Sequence, residues 1–129
     1  MSTFYPEMPA ADYLAALNSL YIFSATPVAD GVSISPNCDT SDLVMQTNTM
    51  VGGTLTINNP TGAPVEGQKL MVRVKCTNAQ TLSFGGNYRG STTFPLPSTT
   101  TGSVKTDYFG FAYNGTDSKW DLIGRNLGF

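Results

Sequence analysis

From Lys69 to Thr77 every second residue is apolar, with Leu70, Val72, Val74 and Cys76 on one side and Met71, Arg73 and Lys75 on the other. Period two over eight or nine residues describes a strand with one face in a core and one in water, the kind found in antiparallel sheets. Further β-type runs follow the same rule and are bounded by Gly, Pro, Asn or Asp. Strands are predicted near Leu43–Gln46, Thr54–Asn58, Lys69–Thr77, Thr81–Phe84, Tyr88–Thr93, Lys105–Tyr113 and Lys119–Ile123. The punctuation between them is dense. "NNPTGAP" separates two runs within the stretch Thr56 to Lys75 and predicts a hairpin with a polar hinge. "AYNGTDSKWDLI" puts Asn114 and Gly115 between apolar flanks and predicts a second hairpin, with room for a loop longer than two residues. "PLPSTTTGSV" carries two prolines and a hydroxyl run, which suits a loop or an edge. The expectation for residues 46–129 is an antiparallel β-sandwich or jelly roll around one core.

Before residue 46 the pattern changes. In "PAADYLAALNSLY", Tyr13, Leu14, Leu17, Leu20 and Tyr21 recur at spacings of three and four, which predicts a helix over about residues 11–21 with Asp12 as a cap or first-turn acid. Three turns are too few to stand alone in water, so the apolar stripe must dock on its own domain or on another subunit. "YIFSATPVADGVSISPNCDTSDL" mixes short apolar pairs with Pro, Gly and Asp and reads as an extended arm. The predicted organisation is therefore an arm with one short helix over 1–45 and a β-domain over 46–129.

Chemistry is scarce. Only 12% of residues are charged and the net charge is −2, which argues against binding a nucleic-acid backbone, a task for clustered Lys and Arg. The chain has no histidine, so the commonest general base and the usual zinc ligand are both missing. Asp107 and Asp121 fall in predicted strands and are candidates to meet across a sheet as a carboxylate pair, but each is equally explained as a solvent-facing polar position. Gly52 and Gly53 precede a strand rather than opening a helix, which is the wrong order for a phosphate loop; Gly85, Gly86 and Gly90 are expected to let backbones approach or the chain turn a corner. No catalytic residue, metal site or cofactor is predicted, and the protein is not expected to be an enzyme. Cys38 and Cys76 are compatible with a disulfide and, more simply, with two small buried hydrophobes. The first residues show no basic and apolar leader and no run is long enough to span a membrane, so a soluble protein made in a cytoplasm is expected.

The aromatic residues divide into two groups. Phe109, Phe111 and Tyr113 share one strand face with Trp120 and Leu122 on the next strand, and we assign them to the core. Phe4, Tyr5, Met8, Tyr13, Leu14 and Leu17 lie outside the β-domain, and aromatics with Met on an arm suit a partner surface. These six are the predicted partner-binding residues.

The stretch "GTLTINNPTGAPVEGQKLMVRVKCTNAQTLSFGGNYRG", followed by "YFGFAYNGTDSKWDLIG", resembles the β-domain of virion proteins of tailed bacteriophages. The matching positions are Asn59, Pro60, Thr61, Gly62, Gln68, Leu70, Arg73, Tyr88, Leu96, Pro97, Lys119, Trp120 and Asp121, and the resemblance covers roughly residues 53 to 124. It implies a structural protein of the virion. Because the module stands nearly alone behind an arm and lacks shaft sequence, the resemblance implies a small capsid decoration, or cement, protein. Such a protein would be a homotrimer assembled in the host cytoplasm, bound to the major capsid protein on the outer head surface, with no nucleic-acid or membrane partner. Multivalent attachment of that kind stabilises an assembled shell. The alternative is a tail fibre, baseplate or receptor-binding module that touches the host surface through residues 85–91 and 95–103.

Overall fold

Most strands form where the alternation predicts them, but their partners differ. The computed structural model describes residues 23–129 together with Pro9. Among these residues the strands are β1 (Ala25–Val28), β2 (Ser33–Ile34), β3 (Leu43–Asn48), β4 (Gly53–Ile57), β5 (Lys69–Cys76), β6 (Gln80–Phe84), β7 (Tyr88–Arg89), β8 (Lys105–Asn114) and β9 (Lys119–Asn126). Six of them form one sheet in the order β1-β3-β5-β8-β9-β7, and the other three form a second, β2-β4-β6. The first six strands thus alternate between sheets, each pair joined by an arc of three or four residues. Three such arches stack in parallel, β1 on β3 on β5 and β2 on β4 on β6. The chain then adds β8 antiparallel to β5 and β9 antiparallel to β8, while β7 runs parallel to β9.

The expected all-antiparallel pairing is therefore corrected to a mixed one. Turn residues show where a chain reverses, but not in which sheet the next strand lands. When an arc carries the chain to the other sheet, neighbours within a sheet are one arch apart and run parallel. The predicted hairpin across "NNPTGAP" is corrected for the same reason: β4 and β5 lie in different sheets, and residues 58–68 cross between them. That crossover is tied down by Thr61, whose N–H donates to Pro36 O at 2.9 Å and whose O accepts from Cys38 N at 2.9 Å. The second predicted hairpin forms, with Asn114 opposite Lys119.

The sheets begin earlier than expected. β1, β2 and the first half of β3 precede residue 46, and Ile34 and Cys38 are buried, so residues 23–45 form the first arch and its connection rather than an extended arm. These strands are short and interrupted by Pro27, Gly31 and Pro36, which leaves too little alternation to read. The predicted helix over about 11–21 lies outside the described residues.

One core joins both sheets. Val44, Leu70, Val72, Val74, Phe109, Phe111, Trp120 and Leu122 enter it from the six-stranded sheet, and Ile34, Leu55, Ile57 and Leu82 from the other. Burying side chains of this size contributes about 1.5–3 kcal/mol each. Phe84 sets its ring edge-on to Tyr88 and Phe109, at centroid distances of 5.6 and 5.9 Å. The arcs are interlocked by buried amides. Gln46 Nε2 donates to Ala29 O at 2.8 Å, Asn48 Nδ2 to Gly31 O at 3.0 Å and Gln80 Nε2 to Met50 O at 3.0 Å, so each arch reaches back to the arc before it. The two cysteines are free and buried, as small hydrophobes.

Candidate functional site

With Val44, Gln46, Val72, Val74, Asp107 and Phe109 facing inward, period two turns the intervening residues of β3, β5 and β8 to the outer face of the six-stranded sheet. Strand register then sorts them into rows. Pro27, Met45, Arg73 and Tyr108 align across four strands, and Thr47, Lys75 and Thr106 form the next row. A hollow of about 630 Å³ lies over these two rows, with Asp30 at its rim. On the other side of Tyr108, Leu43, Met71, Gly110 and Gly124 align. The two glycines floor a shallower hollow of about 380 Å³, and the bulge after Gly110 turns Ile123 outward, where it is 53% exposed.

The larger of these two hollows holds two cations, Arg73 and Lys75, with one carboxylate, Asp30. Among the described residues the one hydrogen bond of the Arg73 side chain runs from Nη2 to Met45 Sδ at 2.8 Å, and the Lys75 ammonium makes none. The carboxylate at the rim is engaged elsewhere, since Asp30 accepts from the Thr49 N–H at 3.2 Å. Two lining residues are tied to the C-terminal residue: Thr106 and Phe129 exchange backbone hydrogen bonds at 2.9 and 3.0 Å, and the rings of Tyr108 and Phe129 meet in a T at 5.6 Å. This face presents a guanidinium, an ammonium, two hydroxyl residues and a phenol ring.

A second polar cluster closes the far edge of the same sheet. Arg89 donates to Asp121 through Nε at 2.7 Å and Nη2 at 3.1 Å, and to Asp117 at 3.0 Å. Hydrogen bonding to Asp121 holds the guanidinium above its ordinary pKa, and the same contact lowers that of Asp121. This cluster clamps β7 to β9 and presents an already paired cation, so a ligand gains little there.

Asp107 and Asp121 do not meet. Asp121 lies opposite Ala112, whereas Asp107 lies opposite Val74, is fully buried and accepts from Thr101 N, Thr101 Oγ1 and Gly128 N at 2.8, 2.7 and 2.9 Å. The expected solvent-facing position is thus corrected for Asp107, which anchors a loop and the C-terminal tail. Other acids do similar work. Asp42 holds Ser24 N at 2.8 Å, Asp39 holds Ala63 N at 2.9 Å and Glu66 holds Gly115 N at 2.9 Å. Burial raises the pKa of both Cys38 and Cys76, so neither is poised as a thiolate nucleophile. Among the described residues no group of three or more His, Cys, Asp or Glu side chains is placed to hold a metal ion, and no helix is long and apolar enough to cross a membrane.

The predicted partner-binding residues Phe4, Tyr5, Met8, Tyr13, Leu14 and Leu17 lie outside the described residues. The hollow was not anticipated from sequence. Its one visible signal is the outward series Met71, Arg73 and Lys75, to which only the fold adds Thr47 and Tyr108. Comparison with protein-family models and with curated proteins returned no match.

Proposed function

We propose that the protein is a bacteriophage structural protein that decorates the outer surface of the head and bridges capsid subunits. We read its two sheets, which share one core, as a sandwich of stacked arches carrying the N-terminal residues as a grip. The observation that supports this best is where the residues of the phage-like motif sit. Leu70, Tyr88 and Trp120 are buried in the core. Gln68 Nε2 donates to Cys38 O at 2.7 Å, Tyr88 Oη to Asn58 O at 2.8 Å and Lys119 Nζ to Gly86 O at 2.7 Å. Asp121 pairs with Arg89. Residues used in this way build a body, and a body without a built-in reaction suits attachment.

The grip is assigned to Phe4, Tyr5, Met8, Tyr13, Leu14 and Leu17, since aromatic anchors often dominate interface energy and Met is enriched at interface cores. Family resemblance makes a homotrimer the working assembly, and closed symmetry allows one patch to be used three times without fibre growth. Co-sedimentation with expanded empty heads tests the reading. The full chain should pellet with the heads, and a chain lacking residues 1–21 should keep its β-type circular dichroism and stay in the supernatant. Undiminished binding by the folded, shortened chain would refute the assignment of the grip.

A further inference from the structure

We propose that the hollow over Arg73 and Lys75 binds an acidic saccharide, a sugar ring bearing a carboxylate or phosphate group. Arg73 and Lys75 are two residues apart on β5, so their stems rise on one face about 6–7 Å from each other. Among the described residues no carboxylate pairs with either cation. Two unpaired cations at this spacing straddle a single anionic group, the guanidinium as a fork and the ammonium as a point charge.

The surroundings select the rest of the ligand. Thr47 and Thr106 flank Lys75 in register, within hydrogen-bonding reach of ring hydroxyls, and Tyr108 beside Arg73 offers an aromatic plate to the apolar face of a pyranose. A volume of about 630 Å³ falls within the usual range for small-molecule sites.

A polypeptide fits less well. β3, β5 and β8 are interior strands whose backbone groups are taken by their neighbours, so this face offers side chains alone, whereas an added strand docks at a sheet edge. The nearest edge is blunted. Ser24 O accepts from Leu43 N at 3.1 Å, which turns the backbone of Ala25 and Pro27 to the free side of β1, where Pro27 has no N–H to give.

This inference goes beyond head attachment and does not depend on it, since it uses residues of the sheet and none of the first 22. The experiment is an NMR-detected titration of the full chain with glucuronic acid, N-acetylneuraminic acid, glucose 6-phosphate and glucose. Acidic sugars should bind at least about tenfold more tightly than glucose, with amide shifts centred on Thr47, Lys75, Thr106 and Tyr108. Arg73→Gln and Lys75→Gln should each weaken that binding at least about fivefold without lowering the melting temperature, and Val65→Ala, exposed on the crossover before β5 at the opposite end of that strand from Lys75, should leave it unchanged. Glucose binding as tightly as the acidic sugars would overturn the proposal, as would a folded Arg73→Gln/Lys75→Gln double variant that binds like the original. A glutamate-rich peptide that binds more tightly than every sugar would overturn it in favour of an acidic protein partner.

Discussion

Replacing Asp107 by alanine removes the acceptor that holds two separate pieces of chain to β8. The carboxylate is 0% exposed and takes three hydrogen bonds, from Thr101 N, Thr101 Oγ1 and Gly128 N. Asp107→Ala orphans two backbone donors at about 1–3 kcal/mol each and loses a hydroxyl bond worth about 1 kcal/mol. Relief from burying a charge offsets part of this, so the expected loss is about 3–5 kcal/mol. That is a large share of the roughly 5–15 kcal/mol that stabilises a single domain. Asp107→Asn keeps one acceptor oxygen and should lose about half as much. Urea unfolding followed by tryptophan fluorescence measures both, and hydrogen exchange should show Thr101 and Gly128 among the first amides to lose protection in the Asn variant. A loss under about 1 kcal/mol for the Ala variant would show that Asp107 is not an anchor.

Trp120→Ala empties a buried site packed against Tyr113 at 5.1 Å and should cost about 3–5 kcal/mol in the same urea assay. Neighbouring glycines should behave oppositely. A Cβ on Gly85 would meet Asn59, with its backbone N at 2.8 Å, so Gly85→Ala should destabilise by about 1–3 kcal/mol, while Gly86→Ala meets nothing within 4 Å and should be nearly neutral by thermal melting. Asp121 is lowered in pKa by its hydrogen bond to Arg89, so its contribution is present above the unfolded value of about 3.9 and is lost as pH falls through the folded value. Amide protection of β7 should therefore weaken selectively on acidification below about pH 4, and Arg89→Gln should abolish that dependence.

Strand positions were legible where alternation was long. The inward set Val72, Val74, Phe109, Phe111, Trp120 and Leu122 is read directly from period two, and all six are buried. Pairing was not legible, because "NNPTGAP" and the arc at Thr49–Gly52 carry the same residue types whether the chain doubles back within a sheet or crosses to the other one. Period two places Asp107 on the inward face with Phe109 and Phe111, but an acid there argues against burial until its three donors, two of them backbone N–H groups from a loop and the tail, are in place. The hollow was illegible for a related reason: Met45, Arg73 and Tyr108 are brought into one row by register, which no local pattern encodes.

Cryo-electron microscopy of tailed phage particles mixed with the purified full chain tests the proposed head decoration most directly. The account predicts trimeric density of β-rich bodies on the outer head surface, with residues 4–17 against the major capsid protein. Density for the chain at the tail or baseplate, with the head surface bare, would contradict it.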